Sequence, residues 1–436
     1  MKRLVFVIFC AIAAAARGDV LALPEPIDPT QFRAVDPAMA ALGQLLFYDP
    51  ILSGNRNISC ATCHHPSLGT ADGIALSLGE GGIGLGPDRI ADAANLPEQH
   101  IPRHAPALWN LGHETFAVMF HDGRLELDGT RPSGIRTPLG TEMETGFASV
   151  LSAQSMFPVL SPDEMAGHYS ENDISAAVRT GRITGDGGAW DLLTDRLDAI
   201  PDYRTEFTTV FGPEEIDFTD VSDALAAFIE HEWRADQSLF DAYLNGASPL
   251  PDAAMTGMGL FYGELGCSGC HSGPFQTDHA FHVTGMVQFG PGKRGRFEDH
   301  SRDEGRFRVT GDAADLYAFR TPSLRNIFDT APYGHTGAYA ELDAFLVAHA
   351  APRAAWAAFD PASVAIPDLG GDPFAPSQDA AMQEAVLAMV PYDDRALTQA
   401  ELADLLAFLA TLTDVTSLEG RLGIPDTVPS GLPIDR

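Results

Sequence analysis

"NISCATCHHPSLG", residues 57–69, sets Cys60, Cys63 and His64 in a C-x-x-C-H run. The run returns in "LGCSGCHSGPF", residues 265–275, as Cys267, Cys270 and His271. This order suits thioether attachment of haem: the thiols add across the vinyl groups and the adjacent imidazole becomes an axial iron ligand. Two other chemistries use the same residue types, a tetrahedral zinc site and a redox dithiol. Zinc would need the two motifs to meet in space, and a dithiol leaves the following histidine without a role. The expectation is two covalently attached haem c groups, with His64 and His271 as proximal ligands.

Each motif sits in its own copy of a larger pattern. "MAALGQLLFYDP" precedes the first and "MTGMGLFYGELG" the second, both with helical spacing of apolar residues and both containing Leu-Phe-Tyr, at Leu46 to Tyr48 and Leu260 to Tyr262. "FTDVSDALAAFIEHEW" follows the first motif at a distance and "LTQAELADLLAFLATLTD" the second, with Thr219 and Thr398 as expected N-caps. The unit helix, C-x-x-C-H, long loops, helix therefore occurs twice. This predicts a mainly α fold of two cytochrome c-like haem domains in tandem with long ordered loops, over residues 27–243 and 255–420, joined by the linker "LNGASPLPDAA". The glycine-rich "LGEGGIGLGPD", residues 78–88, lacks the lysine of a phosphate loop and reads as a flexible loop over a site.

Lys2 and Arg3 followed by an apolar run to Ala16 read as a signal peptide over residues 1–18, directing the protein out of the cytoplasm. Phe9 stands where a lipid-anchored Cys10 would want a small residue before it. No later apolar stretch approaches the roughly 20 residues of a membrane helix, so no membrane association is expected. Cys10 leaves with the signal, and the four remaining cysteines all belong to the two motifs. A formal charge of −33 makes nucleic acid and anionic membrane poor partners and suits a basic partner protein.

Taken in order, "LGQLLFYDPILSGNRNISCATCH", "RHAPALWNLG", "FHDGR", "LSAQSMFPVLSPDEMAG", "GLFYGELGCSGCHSGPF", "FRTPSLRNIFDTAPYGHTGAY" and "ELADLLAFLATL" resemble the bacterial di-haem cytochrome c peroxidases and the related MauG-type maturation enzymes, from about Asp36 to Asp414. The resemblance implies a periplasmic enzyme with a peroxide-binding first haem and a relaying second haem. It maps the distal pocket of the first haem onto Gln154, Pro158 and Glu164, with Glu164 as the acid-base group. Peroxidases of the family cap the resting first iron with a histidine close to the position of Glu80. No histidine lies between His65 and His100, so an open first iron is expected unless His100 or His104 folds back. Counting seven residues from Leu342 gives His349 as sixth ligand of the second haem, where peroxidases of the family carry methionine; bis-histidine ligation implies a lower potential. The inter-haem tryptophan is replaced by His121, with Trp109 as the other candidate for an inter-haem path. An interdomain calcium would meet His104 in place of asparagine, although Thr330 and Pro332 keep its carbonyl positions.

The reading is a peroxidase that reduces hydrogen peroxide with electrons from a small c-type cytochrome or copper protein. The alternative within the resemblance is a maturation enzyme that oxidises side chains of a protein substrate. A different class, a non-catalytic di-haem electron-transfer cytochrome, would need both irons six-coordinate. Many relatives form a homodimer, and the sequence leaves that open.

Overall fold

The computed structural model describes residues 22–168, 170–292 and 302–436; the expected signal peptide lies outside them. The chain is 41% helix and 6% strand, a mainly helical fold whose strands are short hairpins between long loops. No helix among the described residues is long and apolar enough to cross a membrane.

Each half is organised by one crossed pair of helices, and the duplication seen in the sequence recurs atom for atom in how they meet. The Pro37–Tyr48 helix packs on Phe218–Glu232, and Asp252–Gly259 packs on Gln399–Ala410. Gly43 and Gly257 hold equivalent places before the two Leu-Phe-Tyr runs. A Cβ on Gly43 would stand 1.8 Å from the Ala224 carbonyl oxygen, and one on Gly257 1.8 Å from that of Asp404. Only glycine lets the backbones approach so closely. Just beyond each contact the same aromatic pair seals the crossing: Phe47 with Phe228 at 5.2 Å between ring centroids, Phe261 with Phe408 at 5.1 Å.

Thr398 caps its helix as expected, in a reciprocal capping box with Glu401. The first closing helix differs. Asp217 is its N-cap, paired with Asp220, and Thr219 lies inside the first turn. The glycine-rich stretch also departs from a loose loop. Gly82–Ile83 pairs with Ile90–Ala91 in a small hairpin, and the buried Arg89 guanidinium donates to the carbonyls of Leu78 (2.6 Å), Gly84 (2.6 Å) and Gly79 (2.7 Å). Three carbonyl acceptors on one rigid fork hold the turn closed.

The chain after the last long helix returns across the first half. Glu232 accepts the backbone N–H groups of Arg421, Leu422 and Gly423, Ser430 donates to Asp49 at 2.7 Å, and Thr62, inside the first C-x-x-C-H, donates to Asp435 at 2.5 Å. Val428 is buried in the first core, with Ile424, Leu432 and Ile434 packed against it. Deleting residues 424–436 is expected to cost at least about 2 kcal/mol from lost apolar burial. Denaturant melts of the haem-loaded protein check this, and a truncated chain that melts like the full one would contradict it.

Candidate functional site: two histidine-centred haem cradles

The first C-x-x-C-H turn, Cys60–Cys63, opens on a cavity walled by Phe47, Ile58, Leu108, Leu151, Met165, Leu225 and Ile229. Cys60, Cys63 and His64 lie on one side, and Gln154, Pro158 and Glu164 line the same space. His64 Nδ1 is 2.9 Å from the Thr70 carbonyl oxygen, to which it donates as the Nδ1–H tautomer, leaving Nε2 with its lone pair. Burial lowers the pKa of this imidazole, so it stays neutral, as a metal ligand must be. Four polar atoms on the cavity wall are buried without a hydrogen-bond partner among the described residues: Ser77 Oγ, Gln154 Oε1, His121 Nε2 and Arg103 Nη1. An apolar slot with cationic and N–H donors on its rim fits a porphyrin with two carboxylate arms.

Glu164 sits in a short π-type turn, Pro162–Ala166, a geometry often found at functional positions. The turn is pinned at its start, because the Ser161 carbonyl accepts from the backbone N–H groups of Glu164 (3.1 Å), Met165 (3.0 Å) and Ala166 (2.9 Å). Glu164 lines a second, polar cavity as well, about 180 Å³ in volume, together with Gln99, Ser161 and Asp163. The carboxylate thus stands between a polar vestibule and the apolar slot.

The second motif repeats the proximal arrangement. His271 Nδ1 is 3.0 Å from the Gln276 carbonyl oxygen. Across from it stands His349, in the last turn of the Leu342–Ala350 helix, with its ring centroid 6.4 Å from that of His271. Two imidazole nitrogens each about 2.0 Å from one metal put the ring centroids roughly 6 Å apart, so this spacing fits an ion between the rings. Burial pushes His349 down to about 4, with the His271 ring adding to the effect, and Phe345 stacks on it at 5.5 Å. Among the described residues no ring contact of this kind joins His64 to a second imidazole.

The alternatives to haem fit less well. The one tight group of three potential metal-binding residues among the described residues is Cys270, Asp278 and His282, all in the second half, so the two motifs do not join around zinc. Burial raises all four thiols, Cys60 to about 12 and Cys267 to about 11, which opposes the thiolate that a dithiol or zinc site needs.

A family model for di-haem cytochrome c peroxidases matches residues 37–249. The methylamine utilization protein MauG of Methylorubrum extorquens is 32% identical over 344 residues, 77% of either chain. The chain belongs to the di-haem cytochrome c peroxidase and MauG family. Cytochrome c551 peroxidase of Nitrosomonas europaea is 31% identical over 335 residues, 76% of this chain and 78% of that one. A solved MauG-like protein associated with microbial copper homeostasis superposes with a TM-score of 0.57 at 26% identity, over 93% of this chain and 97% of that one. The diheme peroxidase BthA of Burkholderia thailandensis shares the fold at 22% identity, with a TM-score of 0.58 over 95% of either chain. The protein is therefore an enzyme of the cytochrome-c peroxidase type, from a family that carries two haems and acts on peroxide with cytochrome electron donors.

Within this member of the family, His121 lines the first cavity and its carbonyl accepts from the Arg320 N–H of the second half at 2.8 Å. Burial, with Arg103 beside it, drives the His121 pKa well below the usual histidine range. Trp109 is packed in the first core and is not on the cavity wall. His100 Nε2 is 2.7 Å from the Pro367 carbonyl oxygen and His104 Nδ1 2.8 Å from that of Ile74, so each ring is tied to the backbone. At residue 104 an imidazole nitrogen directed at a carbonyl replaces the amide oxygen that a calcium ion would use. Arg103 and Arg124, which also line the first cavity, were missed as site residues. Their signal was present as the arginines of "RHAP" and "FHDGR".

Proposed function

We propose that this protein is a periplasmic peroxidase that reduces hydrogen peroxide in the N-terminal half, with electrons relayed through the C-terminal half. Residues 27–243 and 255–420 are its two haem domains. Cys60, Cys63 and His64 would hold one haem, and Cys267, Cys270, His271 and His349 the other. Bound there, haem would supply the redox chemistry and carry the electrons. Gln154 orients the peroxide through its carboxamide, Pro158 narrows the space, and Glu164 takes a proton from one peroxide oxygen and returns it to the other.

The observation that carries this reading is the asymmetry of the two cradles. An imidazole faces His271 at metal-bridging distance, whereas among the described residues no such ring pair joins His64 to another imidazole, and the wall of its cavity presents a carboxamide, a proline ring and a carboxylate beside the tethered His104 and the buried His121. Electron paramagnetic resonance of the oxidised protein tests it: one high-spin and one low-spin signal are expected. Two low-spin signals would favour the electron-transfer cytochrome. His349→Ala should convert the low-spin signal to high-spin and leave the first cradle's signal alone, while His349→Met should keep six-coordination and raise the potential. An unchanged low-spin signal in His349→Ala would remove His349 from the ligand set.

One observation favours the maturation-enzyme alternative. Glu80, close to the position of the family's capping histidine, is fully buried and held by the side-chain amides of Asn55, Asn57 and Asn95. A loop fixed in this way would bring no capping side chain of its own to the first haem. Steady turnover of peroxide with a reduced small cytochrome or copper protein supports the peroxidase; peroxide consumption only with a protein substrate supports the alternative.

A further inference from the structure

The two C-x-x-C-H turns differ in what lies outside them. Position by position, Ser59, Ala61 and Thr62 of the first correspond to Gly266, Ser268 and Gly269 of the second. In the first turn the three residues are 2%, 0% and 1% exposed. In the second, Gly266 and Gly269 are exposed, and a Cβ built on either would meet nothing within 4 Å. One turn is sealed and its duplicate is open.

The seal on the first turn is the segment 424–436, "IPDTVPSGLPIDR". Asp435 accepts from Thr62 Oγ1 at 2.5 Å, and Leu432 and Ile434 pack against the same core as Cys60 and Cys63. Its middle is pinned where Ser430 donates to Asp49. Its three prolines restrict the backbone, and Arg436 Nη2 donates to the carbonyls of Pro425 (3.1 Å) and Asp426 (2.8 Å), so the end is folded back on the segment instead of trailing from it. The pieces form a stiff strap laid across one motif.

A haem held by thioethers presents the edge that carries them to its own motif. Electron exchange with a protein donor weakens steeply with distance from that edge, because orbital overlap decays through the intervening matter. We propose that residues 424–436 act as an insulating strap: by covering the first turn they keep a protein donor from the first haem, so that electrons enter at the open second turn. Thr62, Ile434 and Asp435 then decide which haem a donor reaches. Each transfer moves one electron from the donor to one ferric iron, and no bond or proton changes hands. The proposal rests on the relay reading given above.

The test compares the full-length, haem-loaded protein with a chain ending at Gly423, and reads electron arrival in place of peroxide turnover. The oxidised protein is mixed with an excess of a reduced small c-type cytochrome of lower potential than either haem. Loss of the high-spin charge-transfer band reports reduction of the first haem. In the parent, the rate of that loss should level off as donor concentration rises, because transfer from the second haem limits it. In the truncated chain the plateau should be lost and the rate should climb in proportion to donor. Amide hydrogen exchange at residues 59–63 should quicken, and the low-spin signal of the second haem should stay as it was. Should the truncated chain fail to fold or to take up haem, Ile434→Ser combined with Asp435→Ala, which frees the end of the strap alone, should show the same loss of plateau. A plateau that persists, or exchange that does not quicken, would overturn the strap and leave the relay standing. A parent with no plateau would overturn both.

Discussion

Glu164→Gln lowers peroxide turnover by about 10²–10⁴-fold, the range that a positioned acid-base group contributes, while haem content and the high-spin signal stay as in the parent. The carboxamide matches the carboxylate in size and still hydrogen-bonds, so the Pro162–Ala166 turn, held by three N–H groups on the Ser161 carbonyl, keeps its shape. What is lost is the ability to accept a proton from one oxygen and deliver it to the next. The location adds weight to the role. Glu164 is shared by the apolar slot and the polar vestibule beside Gln99 and Asp163, so a polar space other than the slot adjoins it. Stopped-flow decay of peroxide and steady-state turnover measure the effect. A rate within threefold of the parent would show that the proton moves by another group, and Gln154→Ala would then be the next variant to make.

How much of this was legible in the sequence depended on the range of the contacts involved. The C-x-x-C-H runs and the helix pairs were legible because their information is local: spacing, capping and apolar stripes within a dozen residues. The N-cap at Thr398 followed from its capping box with Glu401, whereas "IDFTD" offers two candidates and Asp217, paired with Asp220, takes the cap expected of Thr219. His349 was reached by the resemblance, and the count from Leu342 is also close to two helical turns, which sets both residues on one face with Phe345 between them. Arg103 and Asp303 are 200 positions apart, and no periodicity links them. The return of residues 421–436 over the first core was equally hidden, since a segment rich in proline and glycine carries no pattern naming its partner. The Glu80 cluster was read only as part of a loop because its meaning lies in what is buried around it.

Arg103→Met is expected to destabilise the protein by about 3–5 kcal/mol, the usual result of removing one partner from a buried ion pair. The guanidinium joins the two halves. Nε and Nη2 each donate to Asp303 at 2.7 Å in a two-pronged contact, and Nη1 lies 3.0 Å from Asp122 Oδ2, off its N–H direction. Burial favours the protonated form of both acids, but Arg103 outweighs it, holding Asp303 at about 2 and Asp122 also well below the usual range. Arg124, 3.0 Å from Asp122, would still partner that residue, so Asp303 is the group left exposed to the loss. The pH dependence should then change sign. In the parent, a depressed carboxylate contributes stability that is present above its unfolded pKa near 4 and lost as the pH falls through about 2. In the variant, a buried and unpaired Asp303 titrates above its unfolded value, and stability falls as the pH rises past 4. His335, whose pKa is now pushed to about 4 by burial despite Asp303 beside it, would gain a proton more readily once Arg103 is gone and would rescue the variant further on the acid side. Guanidinium melts of the haem-loaded protein at pH 5 and pH 8 should therefore show a smaller gap between variant and parent at pH 5. A gap that is equal at both pH values, or a total loss under about 1 kcal/mol, would mean that Asp303 does not depend on Arg103 for its charge and that the two halves are held together by their apolar contacts instead.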